Sequence, residues 1–309
     1  KLPTIIGVTG TNGKTTVASA IAHVLGTSVY GNIGVPWIMH AKSNLSMIVL
    51  ELSSYQLETS PTLLCDTGII LNITPDHLDW HGTFNAYEQA KLSMIKSLKQ
   101  RLYVPDSYVD YLAGNIHYAS SIQSIESLPA VPGIRSGYHH QLNDQVIWDV
   151  ARFYGITDQD ISKKMATFSY PRYRCETMFL DNERCIINDA KSTNMASTKA
   201  AVQMVPEPMT LLLSGQPKGP FSDDWSHYIQ SSCHKIYASG DLCHESGVFP
   251  AFLQPSIRFF PTLKESVSHA LSEFKYGTLL FSPGAASFDE FTDYMHRGQC
   301  FDQYITQYG

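Results

Sequence analysis

The feature that most constrains this chain lies within its first two dozen residues. A β-branched run, Thr4–Thr9 (TIIGVT), passes directly into Gly10-Thr11-Asn12-Gly13-Lys14-Thr15-Thr16. A segment with Val17, Ala20, Ile21 and Val24 at helical spacing follows. Strand, glycine loop and helix N-terminus together make an anion cradle. Backbone N–H groups and the helix dipole face the phosphates, Lys14 neutralises β/γ oxygens, and a threonine hydroxyl can hold Mg²⁺. The general phosphate-loop pattern places a further glycine five residues before Gly13, where this chain has Val8. The plainer alternative is a tight strand-to-helix turn with an incidental lysine, but the strand-then-helix context favours nucleotide binding.

Apolar strands and helical patterns alternate along the rest of the chain, the mark of an α/β protein with a mainly parallel sheet. Met47–Leu52 and Gly68–Ile73 read as buried strands. Phe84–Leu98, His140–Tyr154 and Asp158–Met165 read as helices, and Leu102–Val131 as short strands with surface loops. The pattern restarts near Ser169–Pro171, after which Cys185–Asn188, Met209–Ser214, Lys235–Ser239 and Thr278–Ser282 read as four strands. With 309 residues, about twice the ~150 of one domain, a division into 1–170 and 171–309 is expected.

Composition narrows the partners. The chain is 43% hydrophobic and 16% charged, enough apolar matter for two cores, and its net charge is −6. A nucleic acid or an anionic membrane is therefore not an expected partner. No apolar run approaches the ~18 residues of a membrane span. Six scattered cysteines without CxxC spacing suit a reducing cytoplasm.

Three further strings carry chemistry. Glu51 opens Glu51-Leu52-Ser53-Ser54-Tyr55-Gln56-Leu57 directly after an apolar strand. A carboxylate at a strand's C-terminal end points into the ligand crevice and can bind Mg²⁺, though a solvated or capping glutamate is equally common there. Asn72-Ile73-Thr74-Pro75-Asp76-His77-Leu78-Asp79-Trp80-His81-Gly82 packs two histidines and two aspartates into six residues. These suit either a metal ligand with an orienting carboxylate or a turn with a packed histidine. Lys91, in Tyr87-Glu88-Gln89-Ala90-Lys91, reads by spacing alone as an ordinary solvated lysine.

Taken together, GTNGKTT, ELSSYQLE, NITPDHLDWHG and YEQAKL, in this order, resemble the ATP-dependent Mur ligase family of peptidoglycan synthesis. The second half extends the likeness with YRCE around Arg174, NDAKSTN at Asn188–Asn194, SGQPKG at Ser214–Gly219 and SPGAASFDEF at Ser282–Phe291. The likeness runs from Thr4 to Phe301 and is greatest to the D-glutamate-adding branch. It implies a P-loop-containing, mainly parallel-sheet ATPase domain followed by a Rossmann-like α/β domain. The implied reaction is ADP-forming ligation of D-glutamate to UDP-N-acetylmuramoyl-L-alanine through an acyl phosphate, in the bacterial cytoplasm, by a monomer.

By position, the resemblance implies that Gly10, Thr11, Asn12, Gly13, Lys14, Thr15 and Thr16 bind ATP phosphates. Thr15 and Glu51 would hold one Mg²⁺ ion and His77 a second. Lys91 matches a carbamylated lysine, in which CO₂ turns a cation into an anion that helps bind Mg²⁺. Asn143, Arg174 and Asp189 fall at nucleotide contacts, and Lys191 matches a lysine reaching the phosphates. Asn32 and Ser53 lie near the muramoyl substrate. Thr193, Lys218, Ser287, Phe288 and Tyr294 fall where D-glutamate is bound; a cation and hydroxyls suit a dianionic amino acid.

The departures are specific. His140 stands where the adenine-reaching segment often has asparagine, Tyr173 where histidine usually precedes the arginine, Ser214 where glycine usually opens the lysine loop, and Tyr294 where phenylalanine is frequent. Family members also carry an N-terminal domain for the uridine diphosphate, which the nine residues before Gly10 cannot supply. The expectation is thus the central and C-terminal domains of a longer protein, binding ATP well and the UDP-sugar weakly. A folylpolyglutamate synthase-like ligase is the rival within the class. A nucleotide-binding fragment without ligase activity is the rival outside it.

Overall fold

A computed structural model of the protein describes residues 3–33, 36–40, 45–113, 121–131, 138–179, 183–244 and 247–308. Its chain divides into two compact units, Lys1–Tyr170 and Pro171–Gly309. Each is α/β, with a six-stranded sheet among the described residues and helices on both faces. None of the described helices is long and apolar enough to cross a membrane.

In the first unit, β1 (Thr4–Thr9), β2 (Val29–Gly31), β3 (Met47–Glu51), β4 (Cys65–Ile70), β5 (Leu98–Val104) and β6 (Ser121–Ser124) run parallel in the order β2-β3-β1-β4-β5-β6. β1 lies between β3 and β4, with Val8 opposite Glu51 and Ile69. Alternation sends Ile6, Val8, Val49 and Ile69 to one face, under α1 (Lys14–Leu25) and α6 (Tyr138–Phe153). Ile48, Leu50, Ile70, Leu102 and Val104 go to the other, under α2 (Ser54–Thr59), α4 (Phe84–Leu92) and α5 (Asp106–Ala113). Burial on both faces is why these strands read as unbroken apolar runs.

Several expected elements shift. The strand expected at Gly68–Ile73 begins at Cys65 and ends at Ile70, because Asn72 turns away to bond the glycine loop instead of continuing the ladder. The helix expected over Phe84–Leu98 stops at Leu92. A 3-10 turn, Ser93–Ser97, follows, with the Ser93 hydroxyl donating back to the Ala90 carbonyl, and Leu98 already begins β5. The segment Leu102–Val131, expected as short strands with surface loops, holds the end of β5, the helix α5 and β6 among its described residues.

The second unit orders β7 (Glu176–Phe179), β8 (Arg184–Asn188), β9 (Met209–Ser214), β10 (Lys235–Ser239), β11 (Ile257–Phe260) and β12 (Gly277–Gly284) as β11-β10-β9-β12-β8-β7. All are parallel except β7, which runs against β8. Ile187, Leu211, Leu213 and Leu280 face α8 (Met195–Met204) and α9 (Asp223–Ser232). Ile186, Leu212, Leu279 and Phe281 face α10 (Leu263–Glu273) and α11 (Tyr294–Tyr308). The two strands not expected from sequence, β7 and β11, are the sheet's edges; each is four residues long, and exposed Arg258 interrupts the apolar residues of β11.

Candidate functional site

In the first unit, the predicted residues converge at the C-terminal ends of β1, β3 and β4. Gly13 caps α1 with φ 85°, a left-handed conformation, and a Cβ there would meet the Asn143 amide at 3.1 Å. The loop is held from β4's side. Asn72 accepts the Asn12 N–H at its Oδ1 (2.8 Å) and the Thr11 N–H at its carbonyl (2.9 Å). The Thr11 hydroxyl spans the Thr74 carbonyl and the Tyr87 hydroxyl, both 3.0 Å away. Lys14 folds back over its own loop, donating to the carbonyls of Gly10 and Thr11 at 2.8 Å each.

Lys91 is the larger surprise. Spacing made it a solvated lysine, yet it is 1% exposed on the last turn of α4. Its Nζ lies 4.6 Å from the Tyr87 ring centroid and donates to the Gly10 carbonyl (2.9 Å), the same oxygen that Lys14 uses. Burial, and then the Lys14 charge, push its pKa down to about 6, with Asp76 pulling the other way. A neutral amine is therefore its main form at neutral pH.

Glu51 ends β3 at 1% exposure. Its Oε1 accepts from the Asn32 amide (2.9 Å), while Oε2 is buried without a hydrogen-bond partner. An orphaned buried carboxylate oxygen at this place suits a hard cation, which would offset the cost of burying it. His77 takes a left-handed φ of 53°, its N–H donating to Asp76 Oδ1 (2.9 Å) and its Nε2 3.8 Å from Asp76 Oδ2. Tyr55 meets the ring edge-on at 5.2 Å. His81 is tied down instead, its Nε2 3.0 Å from the Ser54 hydroxyl and its Nδ1 3.7 Å from Glu58. Among the described residues, no three His, Cys, Asp or Glu side chains form a metal cluster. Glu51, His77 and the Thr15 hydroxyl could each give an ion one donor atom, phosphate and water completing its shell. Ser53 has a structural task, closing a capping box on α2 with Gln56.

The second unit gathers its candidates at the C-terminal ends of β8, β9 and β12. Arg174 stands between Tyr173 (φ 62°) and Cys175 (φ 53°), two left-handed non-glycine residues. The Cys175 N–H donates to Asp189 Oδ1 (3.2 Å), and the Ser282 hydroxyl to Oδ2 (2.8 Å). Burial raises the Asp189 carboxyl to about 6 against these hydrogen bonds. Lys191 Nζ lies 4.4 Å over the Tyr294 ring. Thr193 precedes the α8 cap, Asn194, whose side chain accepts the Ser197 N–H. Lys218 and Phe288 are exposed and Ser287 is buried. The loops carrying Lys218 and Ser287 pair through Gln216 and Ala286, which exchange two backbone hydrogen bonds.

The structure also shows supports that sequence did not single out: Asn72, Thr74 and Tyr87 in the first unit, Ser282 and Arg297 in the second. Arg297 sits in YMHRGQC, where nothing distinguishes it from a surface arginine. His140 lies in the first turn of α6 with its side chain outside the described residues, and Gly34, two residues after Asn32, also lies outside them.

Comparison with known proteins bears on the whole arrangement. Residues 8–115 match the Mur ligase middle domain. A UDP-N-acetylmuramoylalanine–D-glutamate ligase of Protochlamydia amoebophila is 31% identical over 330 residues, covering 97% of this chain and 74% of the relative. The fold is shared with the ADP complex of the MurF ligase from Thermotoga maritima (TM-score 0.73, 14% identity, 99% of this chain and 81% of that one). It is shared too with E. coli FolC in complex with DHPP and ADP (TM-score 0.68, 15% identity, 99% and 90%). Fold likeness alone does not separate the two kinds of ligase; the sequence relative does. The chain belongs to the Mur ligase family, and within it stands with the UDP-N-acetylmuramoylalanine–D-glutamate ligases.

Proposed function

We propose that the protein joins D-glutamate to UDP-N-acetylmuramoyl-L-alanine at the expense of ATP. The observation that carries this reading is the cluster at the end of β1, where a glycine loop, two lysines on one carbonyl and an orphaned carboxylate oxygen meet. The acceptor's carboxylate oxygen attacks the γ-phosphorus and ADP leaves. The D-glutamate amine then attacks the acyl carbon, and phosphate leaves as the amine loses its proton.

The chain's own groups set this up. Gly10–Thr16 offer backbone N–H groups to the phosphates, and Lys14, released from its loop carbonyls, neutralises developing charge. Asn143 packs on Gly13, and Arg174 and Asp189 serve the nucleotide. Asn32 and Ser53 border the acceptor. Thr15, Glu51 and His77 would hold Mg²⁺, which supplies charge neutralisation at the phosphates. Lys91, kept neutral by burial, is in the form that takes up CO₂, and as a carbamate it would add a further anionic ligand. By the family match Lys191 would serve the phosphates, while Thr193, Lys218, Ser287, Phe288 and Tyr294 would receive the amino acid.

The test is phosphate release from Mg-ATP with UDP-N-acetylmuramoyl-L-alanine and D-glutamate, L-glutamate, or folate plus L-glutamate. Release that requires both D-glutamate and the muramoyl substrate is expected. Folate-dependent release would move the chain to the rival ligase, and ATP binding without any release would make it a nucleotide-binding fragment without ligase activity of its own.

A further inference from the structure

Arg297 lies on the first turns of α11 and is 0% exposed. Its hydrogen bonds go to main-chain carbonyls: Nη1 donates to Ser214 (2.9 Å), Ala285 (3.1 Å) and Ala286 (3.2 Å), and Nη2 to Ala190 (3.0 Å). Ser214 is the last residue of β9, Ala285 and Ala286 follow β12, and Ala190 follows β8. These strands are neighbours in the sheet, so one guanidinium ties the three loops at its C-terminal edge. That edge is where open α/β sheets bind ligands.

The chain has made room for this clamp. Gly215 holds φ 125°, and a Cβ there would fall 2.7 Å from Arg297 Nη1 and 2.0 Å from the Ala286 carbonyl. Through-space attraction to Asp289, Asp189 and Glu290 supports a charge that burial lowers only to about 10. A lysine has the charge but not the fork, and cannot span four carbonyls on three loops.

We infer that Arg297 is a positioning residue for the amino-acid substrate, setting the mutual register of the loops that carry Lys191 and Thr193, Lys218, and Ser287. The inference rests on the reading above that these residues receive D-glutamate. A dianionic substrate gripped from separate loops is sensitive to sub-ångström shifts among them. Loss of the clamp therefore weakens capture of the amino acid and spares the phosphate loop.

The experiment compares Arg297→Lys and Arg297→Gln with the wild-type protein in steady-state kinetics, and with Lys218→Ala and Ser287→Ala as controls. For both Arg297 variants the KM for D-glutamate is expected to rise by about tenfold or more, with the KM for ATP within about twofold. A D-glutamate KM within about twofold of wild type in either folded variant overturns the inference. If the two controls also leave that KM unchanged, it is the D-glutamate reading that fails. Hydrogen exchange on the wild-type protein tests the clamp without any variant. Amides at 190–193, 215–218 and 285–288 are expected to open in one concerted event, and independent opening of the three segments overturns the inference.

Discussion

Two buried cations, one in each unit, have met opposite fates. Lys91 is 1% exposed and Arg297 0%, and both point at main-chain carbonyls. Lys91 has one such oxygen and shares it with Lys14, so burial and repulsion take its pKa to about 6. Arg297 has four, and nearby carboxylates, so it stays charged. An ammonium is a strongly hydrated point charge that burial readily deprotonates, whereas a guanidinium spreads its charge and keeps it. The difference assigns the tasks: a neutral amine is a reactive group, and a forked cation is a fastener.

The largest effect should come from removing the amine. Lys91→Met is expected to lower turnover by about 100- to 1000-fold, the usual cost of losing a charge-stabilising group at a reacting centre. It should also stabilise the fold. An unfolded lysine binds its proton up to pH 10.5 and folded Lys91 only to about 6, so the unfolded state holds one more proton between those values. Stability therefore rises with pH across that window, and at pH 7 the buried amine costs up to about 5 kcal/mol. In CO₂-free buffer, Lys91→Met should melt higher at pH 7, with the gain shrinking towards pH 10. A lower melting temperature would mean that Lys91 is charged and paired.

Arg297→Met is the mirror experiment. It takes the guanidinium from four carbonyls in a dry site, of which Ala286 keeps the Gln216 N–H, and a loss of about 3 to 5 kcal/mol is expected, read as a lower chemical-denaturation midpoint at unchanged m. If this variant were as stable as wild type, the guanidinium would be no fastener and the contrast with Lys91 would collapse.

Asp189 supplies a smaller, pH-dependent effect. Its folded pKa of about 6 lies above the ordinary 3.8, so the folded state binds the extra proton between those values. The stability it contributes is present below pH 4 and is lost as pH rises through 6, by about 3 kcal/mol. Differential calorimetry of Asp189→Asn between pH 4 and 7 should show that decline flattened. An unchanged decline would place the responsible group elsewhere.

What sequence could and could not reveal follows the same division. The phosphate loop was legible because strand, Gly10–Gly13 and helix are contiguous; β1 appears with its expected bounds and α1 follows directly after Gly13. Glu51 was legible as a position at a strand end, but not as a carboxylate with one bonded oxygen and one orphan. Spacing alone reads Lys91 as solvated because its burial comes from Tyr87 and from a carbonyl 81 residues away in sequence. Arg297 was invisible for a stronger reason: its partners are backbone atoms, up to 107 residues distant, and backbone leaves no signature in side-chain patterns. The edge strands β7 and β11 leave little signal because each is only four residues long.

The smallest effects separate the two units most sharply. Thr83 caps α4, which carries Lys91, and Asn194 caps α8 directly after Thr193; each side chain accepts an N–H three residues on. Replacing either by alanine should cost about 1 kcal/mol, since both lose the same kind of bond. Their kinetic consequences should differ. Lys91 sits two turns from Thr83 and is locked by the Gly10 carbonyl, so Thr83→Ala should leave the KM for D-glutamate unchanged. Thr193 adjoins its cap, and freeing the first turn of α8 should raise that KM about threefold in Asn194→Ala, a shift of under 1 kcal/mol. Equal kinetic behaviour of the two variants at equal stability loss would show that the start of α8 does not touch the amino acid, and would confine its recognition to the Lys218 and Ser287 loops.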